Sequence, residues 1–408
     1  MKRTLFDRIG PGPLIAAAFI GPGTVTLCSI AGVDFGYSLL WAMLMSIAAT
    51  IVLQEMSARL GLISQKGLAG VIREELDSGL VKSIVIFLIL SAIVIGNAAY
   101  EAGNISGGVL GLSTLFPETR ITVFGRELNY LVFLLGIAAF LILLSGSYKI
   151  LERSLIALVL LMSLSFVITA LMTRPDLGEV LAGAFRPRIP QGGLLTVIGL
   201  LGTTVVPYNL FLHSSLVHEK WKDRKSLPYA VRDTVIAVAL GGLVSMAIIV
   251  SAAGSDVAQL ENAADLAKGL GPLYGAASTY FLSLGLFAAG ITSAVTAPLA
   301  AAYAVRGIFG WEKNMKTARF RLVWMFILLL GVVFASLDFK PIEIIKFAQV
   351  ANGILLPVIS GFLLWVMNSK KVLGTYVNNR FQNFMGFLIF GVTLFLGVKS
   401  IWSVFSTL

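Results

Sequence analysis

Long apolar runs separated by short charged segments constrain this chain more than any other feature of its sequence. A helix rises 1.5 Å per residue, so about 20 apolar residues cross the hydrocarbon core of a bilayer. Eleven runs reach or approach that length, near 13–31, 37–58, 83–111, 129–145, 154–173, 193–217, 231–253, 272–304, 321–336, 342–367 and 385–407. The third and eighth are long enough to tilt or to project from the membrane. Only 13% of the 408 residues are charged, against about 25% in soluble domains. Soluble, disordered and fibrous classes are thereby excluded. The pattern predicts an all-α integral membrane protein forming a single transmembrane domain over 1–408. The first run leads into the body without a small-residue cleavage pattern, so no removable signal peptide is expected.

The net charge of +10 would point to nucleic acid in a soluble protein. Here it reads as topology, because cytoplasmic loops collect Lys and Arg. Threading the runs with the N-terminus inside places Lys66, Arg73, Lys220, Lys222, Arg224, Arg306 and Lys371 on the cytoplasmic side. The external side keeps few basic residues, among them Arg120, Arg186 and Lys340. The expectation is a multi-pass protein of the cell inner membrane, N-terminus cytoplasmic and C-terminus external, whose partners are the lipid bilayer, a small-molecule substrate and a coupling cation. The basic stretch His218–Arg232 reads as topology and headgroup contact. A single cysteine, Cys28, rules out an internal disulfide, and with only His213 and His218 a histidine-rich metal site is ruled out as well. His213 reads as a structural hydrogen-bond partner and Glu55 as an ion-pair partner of Arg59. No phosphate-binding loop is present, so neither ATP-driven pumping nor an enzyme is expected.

Two runs are interrupted. The first contains Gly21-Pro22-Gly23-Thr24 and the sixth contains Thr203-Thr204-Val205-Val206-Pro207-Tyr208-Asn209. Backbone groups freed at membrane depth must line a cavity or meet other protein. Paired interruptions in corresponding positions of two halves point to a midplane substrate site between inverted repeats. The halves would be 13–173 and 193–367, with 385–407 as an additional helix. The competing reading is that each proline merely kinks its helix.

Several stretches resemble the Nramp family of divalent-metal transporters. GPGPLIAAAFIGPG is similar to the family's first helix and QEMSARLGLISQKGLAGVIRE to its second helix and following loop. GTTVVPYNLFLHSSLV is similar to the sixth helix and AAGITSAVTAPLAAAYAVRGIFG to the eighth. The resemblance implies a LeuT-type 5+5 inverted repeat with broken first and sixth helices and an eleventh transmembrane helix, working by alternating access. The metal-site motifs depart from it. Where the family has Asp-Pro-Gly-Asn, this chain has Gly21, Pro22, Gly23 and Thr24. Where the family has Ala-Thr-Val-Met-Pro-His-Asn, Val206 replaces the methionine and Tyr208 the histidine, while Asn209 is kept. Gln349 still matches a family position near the metal.

Transition metals favour charged, imidazole or sulfur ligands, and magnesium or calcium usually takes a carboxylate. The substituted site lacks all of these, so no metal site is expected. Gly21 and Gly23 allow a close backbone approach, and the second half-helix presents N–H groups and a positive dipole end. Thr24, Thr203, Thr204, Tyr208 and Asn209 would add neutral hydrogen bonds and Val206 an apolar wall. The expected cargo is therefore a small organic carboxylate or amino-acid-like solute, 5-oxoproline for example. The alternatives are a manganese, iron or magnesium carrier with an atypical site, and a channel or non-transporting sensor. Asn97, Tyr100, Glu101 and Asn104 form a polar stripe on the third run. Glu101 is a candidate proton carrier, or a structural partner of Lys346. The LeuT-type resemblance implies a sodium site on Thr292, Ser293 and Thr296, although such residues also pack helices. Gln349 and Asn352 extend the polar centre from the tenth run. No cofactor is expected apart from bound sodium.

Overall fold

The apolar runs are helices in the computed structural model, which describes residues 10–12, 20–76, 79–116, 118–123, 125–145, 149–255, 257, 259–312, 314–337 and 339–405. The principal helices are α1 (Pro22–Phe35), α2 (Leu40–Ser64), α3 (Leu68–Glu75), α4 (Leu80–Ser113), α5 (Tyr130–Ser145), α6 (Lys149–Met172) and α7 (Leu177–Phe185). They continue as α8 (Leu194–Thr204), α9 (Pro207–Lys220), α10 (Leu227–Ala253), α11 (Ala263–Lys268), α12 (Ser278–Phe309), α13 (Ala318–Ala335), α14 (Pro341–Met367) and α15 (Arg380–Phe405). Among the described residues, eight spans are long and apolar enough to cross a membrane, and they correspond to the second, third and sixth to eleventh expected runs. The fourth run is the shorter helix α5, and the fifth is followed by α7 at a bend of 120°. Residues 13–19, the leading half of the first expected span, lie outside the described residues, as do the basic N-terminal residues and the last three positions.

One element departs from the helical expectation. Strands β1 (Arg120–Val123) and β2 (Arg126–Asn129) pair antiparallel, Arg120 opposite Asn129 and Val123 opposite Arg126. Ile121, Thr122 and Val123 suit a strand, and Gly125 at φ +76° takes the turn position that a side chain would resist. The stretch lies between two spans, where the apolar-run pattern carries no strand signal.

Burial ranks the spans. The sixth (Leu194–Lys220) is 89% buried over its apolar window, whereas the eleventh is 28% buried and lies at the periphery. α4 is divided along its length. Leu80, Val81, Ile84 and Phe87 are exposed, while Gly96–Leu112 is almost entirely buried against α12, α13 and α14. The exposed apolar half faces what a bilayer would solvate. α1 packs on α10, α2 on α9 and α10, and α15 on α14.

Polar ties fasten the bundle where no apolar contact can. The ring of buried His213 on α9 links α2 and α10: its Nδ1 lies 2.7 Å from Gln54 Oε1 and its Nε2 3.4 Å from Thr234 Oγ1. Arg59 donates to both oxygens of Glu55, to the Tyr376 carbonyl at 2.8 Å and to Asn378 Oδ1 at 2.8 Å. It thereby joins the end of α2 to the segment between α14 and α15. The N–H groups of Gly10 and Gly12 donate to Asp233 at 3.0 and 2.7 Å, fixing the start of the first run beside α10.

Candidate functional site

The same covalent fact sets a helix start at Pro22 and at Pro207. Proline lacks an N–H and its ring clashes with the carbonyl four residues back, while the preceding residue is pushed into extended geometry. Val206, before Pro207, has φ −74° and ψ 118°, so α8 stops at Thr204 and α9 starts afresh. Gly21, before Pro22, has φ −104° and ψ −175°, and α1 starts at the proline. Gly107 of α4 admits the Pro22 ring, since a Cβ there would stand 2.0 Å from Pro22 Cβ.

The two breaks meet. Thr24 Oγ1 and Thr203 Oγ1 lie 2.9 Å apart in a buried hydrogen bond. The amide of Gln349 lies against Gly23, where a Cβ would stand only 2.1 Å from Nε2. Gln349, Asn352 and Asn209 are all 1% exposed or less, as are Thr203 and Thr204. Thr204 turns back onto the Leu200 carbonyl at 2.8 Å, and Val206 is fully buried in the apolar core. Tyr100 and Tyr208 meet edge to face with ring centroids 5.3 Å apart. A cavity of about 10 Å³ lies beside them, lined in part by Asn97, Pro207, Tyr208 and Asn352. That is the order of one water molecule's space.

Glu101 is fully buried and its Cγ lies against Gly331 of α13. Asn104 Nδ2 donates to Glu101 Oε2 at 3.4 Å, and Oε1 has no hydrogen-bond partner among the described residues. The pairing with Lys346 weighed from sequence does not form among the described residues. Of the proposed coupling-ion hydroxyls, Thr292 donates to the Ala288 carbonyl at 2.7 Å and Thr296 to the Thr292 carbonyl at 2.8 Å. Each keeps its oxygen lone pairs. Ser293 is buried, and its Oγ has no hydrogen-bond partner among the described residues.

The arrangement is rich in acceptors and poor in charge. Gln349 Oε1, Asn209 Oδ1, Tyr208 Oη, Asn97 Oδ1 and Glu101 Oε1 are buried without partners among the described residues. Leaving such a group unsatisfied costs about 1–3 kcal/mol. No group of three His, Cys, Asp or Glu residues able to hold a metal occurs among the described residues. Sequence reasoning passed over Thr26 and Ser106, whose buried hydroxyls also lack partners among the described residues. Their only sequence signal is a hydroxyl inside an apolar run, which helix packing produces equally often. It also passed over the Thr24–Thr203 contact, which joins positions far apart in the chain.

The profile of the family described as natural resistance-associated macrophage protein-like matches residues 12–403. The divalent metal cation transporter MntH of Verminephrobacter eiseniae is 29% identical over 392 residues, covering 92% of this chain and 84% of that protein. The manganese transporter of Eremococcus coleocola superposes with a TM-score of 0.78 at 22% identity, covering 98% of this chain and 87% of that one. The nucleobase-cation-symport-1 family transporter Mhp1 superposes with a TM-score of 0.60 at 14% identity, covering 98% and 93%. The fold is the all-α, LeuT-type membrane fold expected from the resemblance. Fold alone leaves cargo open, since the Mhp1 structure holds a bromovinylhydantoin. The curated sequence relatives do not: they are named divalent metal cation transporters, and they overturn the expectation of an organic carboxylate or 5-oxoproline. That expectation equated the loss of charged ligands with the loss of metal, and it gave no weight to neutral amide and hydroxyl oxygens as donors to a hard cation.

Proposed function

Because the chain belongs to the Nramp family, we propose that it is a secondary transporter of a divalent metal cation with an atypical, oxygen-only site. The observation that carries this reading is the buried junction of the two breaks, where Gln349 lies on Gly23 and Thr24 on Thr203. The oxygen of Gln349 itself, and that of Asn209 two residues after Pro207, are buried without partners among the described residues. A cation accepted there would remove the cost of burying those acceptors. Oxygen donors without sulfur or imidazole suit hard ions such as manganese and magnesium, the latter retaining several of its waters. Val206 in place of a thioether removes the soft contact that favours cadmium. Tyr208, Asn352, Asn97 and Tyr100 would orient the hydration shell rather than bind the metal directly.

The transport cycle we propose is alternating access between the halves 13–173 and 193–367. The 385–407 helix stays outside the moving core, as its peripheral position supports. Glu101 is the proposed carrier of a coupling proton; a sodium ion at Thr292, Ser293 and Thr296 is the other coupling route. The excess of Lys and Arg at one set of helix ends supports a cytoplasmic position for them, with the inner membrane as the proposed location.

Proteoliposomes loaded with a metal-sensing dye test the reading. Manganese or magnesium should enter and change the signal, cadmium more weakly, and Gln349→Ala should abolish the effect in a protein of unchanged size-exclusion profile. Glu101→Gln should keep metal binding and lose acceleration by an inward proton gradient. Vesicles impermeable to every divalent ion tried, or a Gln349→Ala protein as active as the parent, would refute the assignment.

A further inference from the structure

We propose a second binding site, for a phosphate-bearing anion, in a polar cavity of about 250 Å³ at one end of the bundle. Phe211, one turn beyond Pro207, lines both this cavity and the small one at the sixth-helix break, and the proposal does not depend on which cargo the transporter carries. The cavity is enclosed by the first turns of α3, the last turns of α9 and the last turns of α12. Its charged and titratable lining consists of Lys66, Arg73, Glu74, His218, Tyr303 and Arg306.

The charges there do not cancel. Lys66 is engaged by Glu74. Arg306 is only 7% exposed, and its guanidinium lies 4.6 Å from the centroid of the Tyr303 ring. Neither Arg306 nor Arg73 is in an ion pair among the described residues. A further acid, Glu219, acts on the Tyr303 hydroxyl. A buried cation without a counter-charge is costly, and a planar guanidinium fork is shaped for the oxygens of a phosphate.

The backbone adds to this field. α3 begins at Leu68 with no side-chain cap from Gly67, so its N-terminal dipole is uncompensated by an acid in the first turn. Leu68 N–H is taken by Ser214 Oγ at 2.9 Å, whereas Ala69 and Gly70 line the cavity. Gly307 brings α12 against that turn, since a Cβ there would stand 3.0 Å from Gly70 N. Two arginines and a helix N-terminus therefore converge on one volume that repels divalent cations and attracts anions.

The ligand chemistry is a phosphate monoester or inorganic phosphate, and two sources offer it. The cavity stands where α2 and α12 end, which is the depth of lipid headgroups, so an anionic lipid can supply the group; a soluble phosphate compound can supply it too. The full chain in phosphatidylcholine nanodiscs is titrated with inorganic phosphate at ionic strength held constant with potassium chloride, with thermal unfolding as the readout. A parallel set of discs contains phosphatidic acid. The midpoint should rise with one or both, because a ligand of the folded state stabilises it by mass action. The concentration for half-effect should rise at least tenfold in Arg73→Gln and in Arg306→Gln. A response to phosphate in phosphatidylcholine discs supports the site with a soluble ligand, and a response only to phosphatidic acid supports it with a headgroup. Arg73 is exposed and its replacement leaves the core intact, so it decides the matter alone if Arg306→Gln fails to assemble. No shift in either arm beyond that of chloride, or an equal shift in Arg73→Gln, would overturn the proposal.

Discussion

Gly23→Ala isolates the proposed metal site from the stability of the fold. An added Cβ would stand 2.1 Å from Gln349 Nε2, against an ordinary contact of about 3.5 Å. The amide must therefore retreat by about 1.4 Å. Cation–oxygen bonds span roughly 2.0–2.6 Å, so that displacement takes Gln349 out of any shared shell. The obstacle is the far end of a flexible side chain, and Ala is preferred to Gly within a helix by up to about 1 kcal/mol. The global cost should consequently be small. Losing one hydrogen-bonding or ligating contact to a charged group is worth about 1.5–3 kcal/mol, which is a roughly 10- to 100-fold weaker apparent affinity. Manganese binding by calorimetry and uptake into dye-loaded vesicles measure that loss, while thermal unfolding should move by only a few degrees. The double variant Gly23→Ala/Gln349→Ala should be no weaker than Gln349→Ala alone, because both changes remove the same contact. A correctly folded Gly23→Ala protein with parental affinity, or a double variant showing the sum of both losses, refutes the geometry.

Three further outcomes are expected. Thr24→Val removes one partner of the 2.9 Å hydroxyl pair and should lower stability by about 1–3 kcal/mol; adding Thr203→Val should recover part of that in the same unfolding assay, and strict additivity would count against the pair. Arg59→Gln strips Glu55, the Tyr376 carbonyl and Asn378 of their donor, so unfolding should ease by about 3 kcal/mol, and limited proteolysis should open the segment around 374–380 first. The Ser369 hydroxyl, and next the Lys371 ammonium, hold the Glu75 carboxyl below its usual range. A folded-state pKa below the unfolded one gives stability that is present above the unfolded value and lost as pH falls through the folded one. The gap in unfolding midpoint between the parent and Ser369→Ala should thus narrow on acidification, and a gap independent of pH would contradict the assignment.

The substitution of neutral residues at both breaks was legible at Gly21, Val206 and Tyr208, and so was the expectation that proline would break the sixth helix there. Pro207 dictates the extended geometry of Val206 through its own ring and missing N–H, an effect confined to neighbouring atoms. The Glu55–Arg59 pair was legible for a similar reason, since residues four apart share a helix face. Cargo was misread because the substitutions at two short motifs were weighed above the likeness of almost the whole chain to divalent metal cation transporters. Which buried oxygens lack partners, Gln349, Asn209 and Glu101 among them, was not legible either, since it is a property of packing rather than of residue type.

The sequence by itself determined that this chain is a helical membrane protein with two proline-opened breaks, because apolar length and local steric rules operate over a few residues. Tertiary structure decided that Thr24 meets Thr203 and that Gln349 covers Gly23. Those contacts join residues far apart along the chain. They are selected by which helices can approach closely enough to touch, and only the packed bundle fixes that distance.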